Sequence, residues 1–350
     1  MDTGHVHRAT IPPVSTDVPR PLWSVMIPTY NCATYLRETL VSVLAQDPGP
    51  RMMQIEVVDD HSTLDDPAAV VAELGHGRVE FYRQERNVGY IHNFETCLKR
   101  ARGHLIHLLH GDDYVREGFY RKLQCAFTKH PEIGAAFCRH IYMDAHGHWQ
   151  TISSLEQPES GLLADWLERI ASGQRIATPS IVVRRDVYEE LGGFDCRIVR
   201  CGEDWEMWVR IATRYPVWYE VEPLAVYRVK HSNSLTGGAT IGELVRDMRK
   251  ATEIIESYLP SYLPATTAHE SLSRAREMYA FWALSDARRL LRDGDVINAL
   301  IQTREAIHCH HSPKVMGSTI SLIPAVVLSW IRQMIYQQAI SLKRVQAKHR

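Results

Sequence analysis

The chain has no Cys-x-x-Cys pair, no Gly-x-Gly-x-x-Gly run and no excess of either charge, and its longest apolar stretch is too short to cross a bilayer. Each absence removes a class of protein. The seven cysteines (Cys32, Cys97, Cys125, Cys138, Cys196, Cys201 and Cys309) are odd in number. They read as reduced thiols of a cytoplasmic chain, and Cys196 with Cys201 makes at most half of a zinc site. Lys plus Arg is 40 and Asp plus Glu is 41, a formal charge of −1, which gives no support for broad nucleic-acid binding. No glycine-rich loop follows the first apolar run, which argues against a dinucleotide-binding dehydrogenase. The stretch Ile320–Ile331 is interrupted by Pro324 and ended by Arg332, so it is too short for a membrane span. Met1–Pro21 lacks the apolar core of a signal peptide, and residues 1–21 are expected to form a flexible leader.

What is present is ordinary globular material: 350 residues, 45% hydrophobic and 23% charged. Short apolar runs at Trp23–Ile27, Ile55–Val58, Val79–Tyr82 and Leu105–Leu109 alternate with helical patterns at Thr34–Gln46, Pro67–Leu74 and Ile91–Ala101. That alternation predicts an α/β domain with a mixed, mostly parallel sheet flanked by helices. Strands are also expected at Ile133–Tyr142, Ser180–Val183, Val217–Val221 and Leu224–Val229, with a helix from Glu203 to about Arg214. Past about Thr240 the pattern is helical only. Met278–His308 reads as two helices joined at Asp293-Gly294-Asp295. The expected organisation is a leader over 1–21, an α/β domain over 22–238 and a helical region over 239–350.

Ligands of open α/β sheets sit beyond the carboxyl ends of the strands. Three polar clusters fall at such ends: Pro28-Thr29-Tyr30-Asn31, Asp59-Asp60-His61-Ser62 and His110-Gly111-Asp112-Asp113. Adjacent carboxylates such as Asp112 and Asp113 repel unless a cation joins them, and oxygen ligands of this kind suit Mg²⁺ or Mn²⁺. The competing reading is a solvated turn or cap. Asp59 and Asp60 suit a base N–H or a ribose hydroxyl, or else an N-cap for the following helix, which Ser62 could fill instead. Glu203-Asp204 opens a helix, where acids are favoured by the dipole and where a general base for an acceptor hydroxyl would also serve. His231 reads either as a metal or phosphate ligand or as a structural histidine.

The ordered set SVMIPTYN (24–31), VVDDHS (57–62), NVG (87–89), LLHGDD (108–113), GGFD (192–195) and GEDWEMWVR (202–210) resembles the inverting family 2 glycosyltransferases of the GT-A fold. The resemblance covers about Ser24–Ser234. It implies that Pro28, Thr29 and Tyr30 line a nucleoside pocket with Asp60 facing the base. Asn87 and Gly89, with Asn93 as a further candidate, would shape the nucleotide cleft. Asp112 and Asp113 would hold the metal and the ribose–phosphate region. Asp204 would be the catalytic base, with Glu203 and Trp205 near sugar or acceptor. Arg228 and His231 would lie near the diphosphate, His231 as a metal ligand. The sequence departs from the family in one place: His110 stands where the first acid of Asp-x-Asp is usual, which leaves open which acid takes the metal and which the ribose, and leaves room for a role of His110 itself.

The activity so implied is a metal-dependent, inverting hexosyl transfer from a UDP-, dTDP- or GDP-linked sugar to a glycan or glycolipid of surface polysaccharide synthesis. The C-terminal helices, with Lys343, Arg344, Lys348 and Arg350 at their end, suit peripheral contact with the inner face of a membrane or homo-oligomer formation. Two other readings compete. A nucleotidyltransferase would need a Gly- and Arg/Lys-rich loop after the first strand, where Pro28-Thr29-Tyr30-Asn31 stands. A non-catalytic nucleotide-sugar-binding or partner-binding module is favoured only by His110.

Overall fold

The structure is a computed structural model that describes residues 7–15, 17, 19–229 and 239–328. The strands are β1 (Trp23–Thr29), β2 (Met53–Asp59), β3 (Glu80–Arg83), β4 (Leu105–Leu108), β5 (Tyr114–Val115), β6 (Ala135–Met143), β7 (Trp149–Ile152), β8 (Gly161–Leu162), β9 (Ile181–Arg184) and β10 (Val217–Arg228). The helices are α1 (Ala33–Leu44), α2 (Pro67–Gly75), α3 (Tyr90–Arg100), α4 (Phe119–Lys129), α5 (Trp166–Ala171), α6 (Arg185–Leu191), α7 (Glu203–Ala212), α8 (Glu243–Tyr258), α9 (Ala265–Arg292), α10 (Val296–Cys309) and α11 (Pro313–Ile320). One mixed sheet runs in the order β3-β2-β1-β4-β9-β6-β10-β5, with β7 on β6 and β8 on β10. The long ladders β1–β2 and β6–β10 are parallel, and the antiparallel ones are short. This is the GT-A-like arrangement expected, followed by a helical C-terminal region.

Every residue of β1 and β2 is buried, as strands covered on both faces must be. Side chains alternate across a strand. Val25 and Ile27 therefore join the core under α1, α2 and α4, while Met26 joins the core that α3 and α7 share with α8, α9 and α10. The helical region thus continues one face of the α/β domain. In α1 the buried residues Ala33, Leu36, Leu40 and Val43 recur at helical spacing. Asp66 caps α2 through the Ala69 N–H, with Pro67 in its first turn.

Two expectations are corrected here. Residues 217–228 form one strand, not two. Pro223 removes a ladder N–H, and register shifts on either side of it absorb the break, so both halves pair with β6. The leader is docked over residues 7–12. Gly193 donates its N–H to Ala9 O and Cys196 to His7 O, Arg185 Nη2 reaches Pro12 O, and Ile11 is buried in the core. Arg8 is 3.1 Å from Glu206 and 3.4 Å from Asp195. Backbone pairing and a buried apolar anchor override what the polar, proline-rich composition suggests.

Candidate active site

Beyond β1, Tyr30 is exposed at 45% and Asn31 takes φ +50°. That conformation lets Asn31 Oδ1 accept the N–H groups of Thr63 and Leu64, at 2.9 and 3.0 Å. The Ser62 hydroxyl accepts the Asn31 N–H at 2.8 Å. Asp59 receives the Ser62 N–H and hydroxyl, so it closes this turn. The first two strand ends are therefore laced into one platform.

Asp60 extends the platform. Its backbone N–H donates to Thr29 O at 2.9 Å. Oδ1 accepts the Val88 N–H at 2.7 Å and Oδ2 the Gly89 N–H at 3.0 Å, while Asn87 Nδ2 donates to Asp60 O at 3.2 Å. Burial raises the Asp60 pKa against these bonds. Gly89 has φ +84°, which a side chain resists, and it turns the chain into α3 at Tyr90. A groove lined by Arg86, Asn87, Val88 and His92 opens beside this loop.

At the β4 end, Gly111 donates its N–H to Pro28 O at 3.0 Å, and a side chain there would meet Thr29 Cβ at 3.1 Å. Ligand atoms of His110, Asp112 and Asp113 lie within 4.8 Å of one another. Asp113 is buried. Its Oδ1 accepts the Arg228 N–H at 2.8 Å, and its Oδ2 lies 3.7 Å from His110 Nδ1 with no hydrogen bond. His110 Nε2 is likewise buried without a partner, and its ring stacks on Phe94 at 5.0 Å. Burial lowers the His110 pKa, so the imidazole is neutral at pH 7 and able to ligate a metal. Burial, then the charge of Asp112, raises that of Asp113. The orphaned Asp113 Oδ2, with His110 Nδ1 3.7 Å away and Asp112 close by, fits a divalent cation. Imidazole with carboxylates suits Mn²⁺ at least as well as Mg²⁺.

The acid pair of α7 lies beside Tyr90 of α3, whose ring packs edge-on against Phe94, the ring on which His110 stacks. Burial, then the neighbouring Asp204, pushes Glu203 up to about 8, and burial pushes Asp204 up to about 6. Glu203 Oε2 and the Tyr90 hydroxyl are buried without hydrogen bonds and face each other. The phenol of Tyr227 is raised first by burial, then by the charges of Asp113, Asp112 and Asp204, so it adjoins both acid groups. Tyr142 packs on it edge-on at 5.9 Å. The three strand-end loops and the start of α7 converge on one region, which unrelated surface turns would not do.

The family model described as Glycosyl transferase family 2 matches residues 24–192. The chain belongs to glycosyl transferase family 2. An uncharacterized protein of Mycobacterium tuberculosis is 31% identical over 226 residues, covering 61% of this chain and 69% of the relative. An uncharacterized glycosyltransferase of Mycoplasma genitalium is 32% identical over 120 residues, and there the matched region spans only 40% of the relative. Among solved structures, S. aureus TarS 1–349 in complex with UDP-GlcNAc superposes with a TM-score of 0.63 at 17% identity, over 91% of this chain and 92% of that one. A mannosyltransferase of Pyrobaculum calidifontis in complex with GDP-Man and Mn²⁺ gives 0.53 at 17% identity, over 93% and 89%. At such identity these structures speak to the fold.

Within this transferase several expected site residues have other tasks. Trp205 is fully buried, its indole N–H donates to Ile170 O at 2.7 Å, and Tyr279 packs on its edge. It anchors α7 and is out of reach of a sugar. Asn93 is buried, donating to Val58 O and accepting from Gln84, so it ties α3 to β2 and does not line the cleft. Arg228 lies under the β4 loop. It donates to Asp112 O at 3.0 Å and to Glu38 at 2.6 Å, and it sits over the Tyr35 ring at 4.4 Å. Its guanidinium is occupied in holding the loop that carries the acids. Pro28 and Thr29 are buried, Pro28 serving through its carbonyl and Thr29 through a 2.8 Å contact with Cys32 Sγ. His231 and the basic residues from Lys343 onward lie outside the described residues. No helix among the described residues is long and apolar enough to cross a membrane.

Sequence reasoning missed Tyr90, Phe94, Tyr142, Gln174 and Thr178. Phe94 is one residue from Asn93, and Tyr90 directly follows the NVG element, so adjacency was the available signal for these two. Gln174 and Thr178 carry no motif.

Proposed function

We propose that this transferase moves a hexosyl group from a nucleoside-diphosphate sugar to an acceptor hydroxyl with inversion, using a divalent cation held by His110, Asp112 and Asp113. The observation that carries the reading is the cluster of His110, Asp112 and Asp113, whose ligand atoms lie within 4.8 Å of one another around the orphaned Asp113 Oδ2. The bound cation would neutralise the departing diphosphate. Tyr30 offers an exposed ring for the base. Asp60 keeps the 87–89 loop in place, and a base N–H would share its carboxylate. Asp204 accepts the proton of the attacking hydroxyl, which its raised pKa suits near neutrality. Glu203, still protonated at neutral pH, offers a donor to a sugar or acceptor oxygen.

The acceptor we propose is a glycan or glycolipid. TarS and the mannosyltransferase were solved with UDP-GlcNAc and GDP-Man, which makes these the first donors to try. The test is donor-dependent release of UDP or GDP with and without Mn²⁺, together with a thermal-shift panel of the same nucleotides. Metal-dependent release and a metal-dependent rise in melting temperature are the expected results. Tight nucleotide binding with no turnover on any acceptor would favour the non-catalytic module instead.

A further inference from the structure

The loop between α5 and β9 lies where the C-terminal helical region meets α7. Gly173 has φ +144°, and a side chain on it would collide with Met278 Cε of α9. The next residue, Gln174, donates its backbone N–H to the Tyr279 hydroxyl at 3.0 Å. Its side chain is held at both ends. Oε1 accepts the Arg175 N–H at 3.1 Å, and Nε2 donates to Asp204 Oδ2 at 2.7 Å. Only the NH₂ end can serve an ionised carboxylate, so the amide has one orientation. Thr178 Oγ1 donates to the same Oδ2 at 3.3 Å, and Asp204 Oδ1 accepts the Trp205 N–H at 2.7 Å.

We propose that Gln174 is a positioning residue that orients Asp204, and that the C-terminal helical region acts on the site through it by way of Tyr279. This rests on the reading of Asp204 as the base. Titratable groups close to Asp204 include Glu203 and Cys201 beside α7, Tyr90 of α3, Tyr142 of β6, Tyr227 of β10 and Tyr279 of α9. None of these is a cation at neutral pH. Hydrogen-bond dipoles favour the ionised form of Asp204: the amide of Gln174, the hydroxyl of Thr178 and the N–H of Trp205. Two of these donors hold the same oxygen, which leaves the carboxylate one rotamer. Tyr279 contacts both arms of the arrangement, through the Gln174 N–H and the edge of Trp205.

The test follows the Asp204 carboxyl carbon by NMR in protein labelled with ¹³C-aspartate, the signal being assigned by its loss in Asp204→Asn. Gln174→Met, close in shape and without a donor, is expected to raise the titration midpoint by about one unit, since a hydrogen bond to a charged group is lost. With UDP-GlcNAc or GDP-mannose and Mn²⁺, kcat falls about tenfold, the donor KM is unchanged and the acidic limb moves up by the same unit. Thr178→Val gives a smaller shift of the same sign, and it carries the test if Gln174→Met does not fold. Tyr279→Phe shifts the limb in the same direction. An unmoved midpoint in both Gln174→Met and Thr178→Val overturns the proposal. A moved midpoint with full turnover in Asp204→Asn upholds the positioning and overturns the base assignment.

Discussion

Asp113 and Arg228 hold each other's segments in place: Asp113 Oδ1 accepts the Arg228 N–H at 2.8 Å, and the Arg228 side chain donates to the carbonyl of Asp112 at 3.0 Å. The pair of acids after β4 is therefore divided in its work. Asp113 joins β10 to the loop through Oδ1 and leaves Oδ2 without a hydrogen bond, while Asp112 is the less buried of the two acids.

That division predicts different phenotypes. Asp113→Ala leaves the Arg228 N–H buried without an acceptor and should cost about 1–3 kcal/mol of stability. Asp112→Asn should change stability by no more than about 0.5 kcal/mol and abolish the Mn²⁺-dependent thermal shift with UDP or GDP. Urea denaturation and thermal shift on both variants check this. Equal destabilisation would remove the distinction.

Asp204→Asn keeps the hydrogen bonds to Oδ1 and much of the shape but cannot take a proton. Turnover should fall about 10²–10⁴-fold while nucleotide binding stays within about twofold. Calorimetric titration with nucleoside diphosphate and Mn²⁺, beside steady-state rates, decides it. Normal turnover would mean another group is the base.

Activity should rise with pH through about 6, as Asp204 ionises. Stability should move the other way. Glu203 has a pKa of about 8 in the folded chain against an ordinary 4.5. The native state then binds the proton more tightly than the unfolded chain. Its contribution is complete below about pH 4.5 and is lost as pH rises through about 8. The raised Asp204 pKa acts with the same sign at lower pH. Glu203→Gln should flatten the fall in denaturation midpoint between about pH 5 and pH 8.5. An unchanged slope would show that Glu203 is not the group responsible.

Trp205→Ala empties a buried site and removes a hydrogen bond to Ile170 O, so it should cost about 3–5 kcal/mol. Trp205→Phe should restore most of the packing. If Trp205→Ala instead raised the donor KM at unchanged stability, the side chain would be a substrate contact after all.

The docked leader gives a final prediction. Arg8→Ala unpairs Glu206 and Asp195, each of which keeps a second arginine, Arg210 and Arg197. The loss should be about 1–3 kcal/mol, less than for a buried acid left with no cation. Chemical denaturation measures it, and no change would mean the docking contributes nothing.

Much was legible in the chain itself. The apolar runs of β1, β2 and β4 and the polar residues that end them are local patterns, and the period-two and 3.6-residue signals report them directly. The order of the motifs sufficed for the family and the GT-A-like fold, because strand ends in a parallel sheet face one side whatever the loops do. The sequence also placed Asp60, Asp112 and Asp204 as the acids to watch. Tertiary structure alone decided which side chains turn inward as struts. Trp205, Asn93 and Arg228 lie within or near the motifs, yet they point into the core or bond carbonyls, and a side chain's direction depends on elements distant in sequence. Gln174 shows the converse. It carries no motif, and it meets Asp204 only because α5, α7 and α9 pack together and bring a single amide onto that carboxylate.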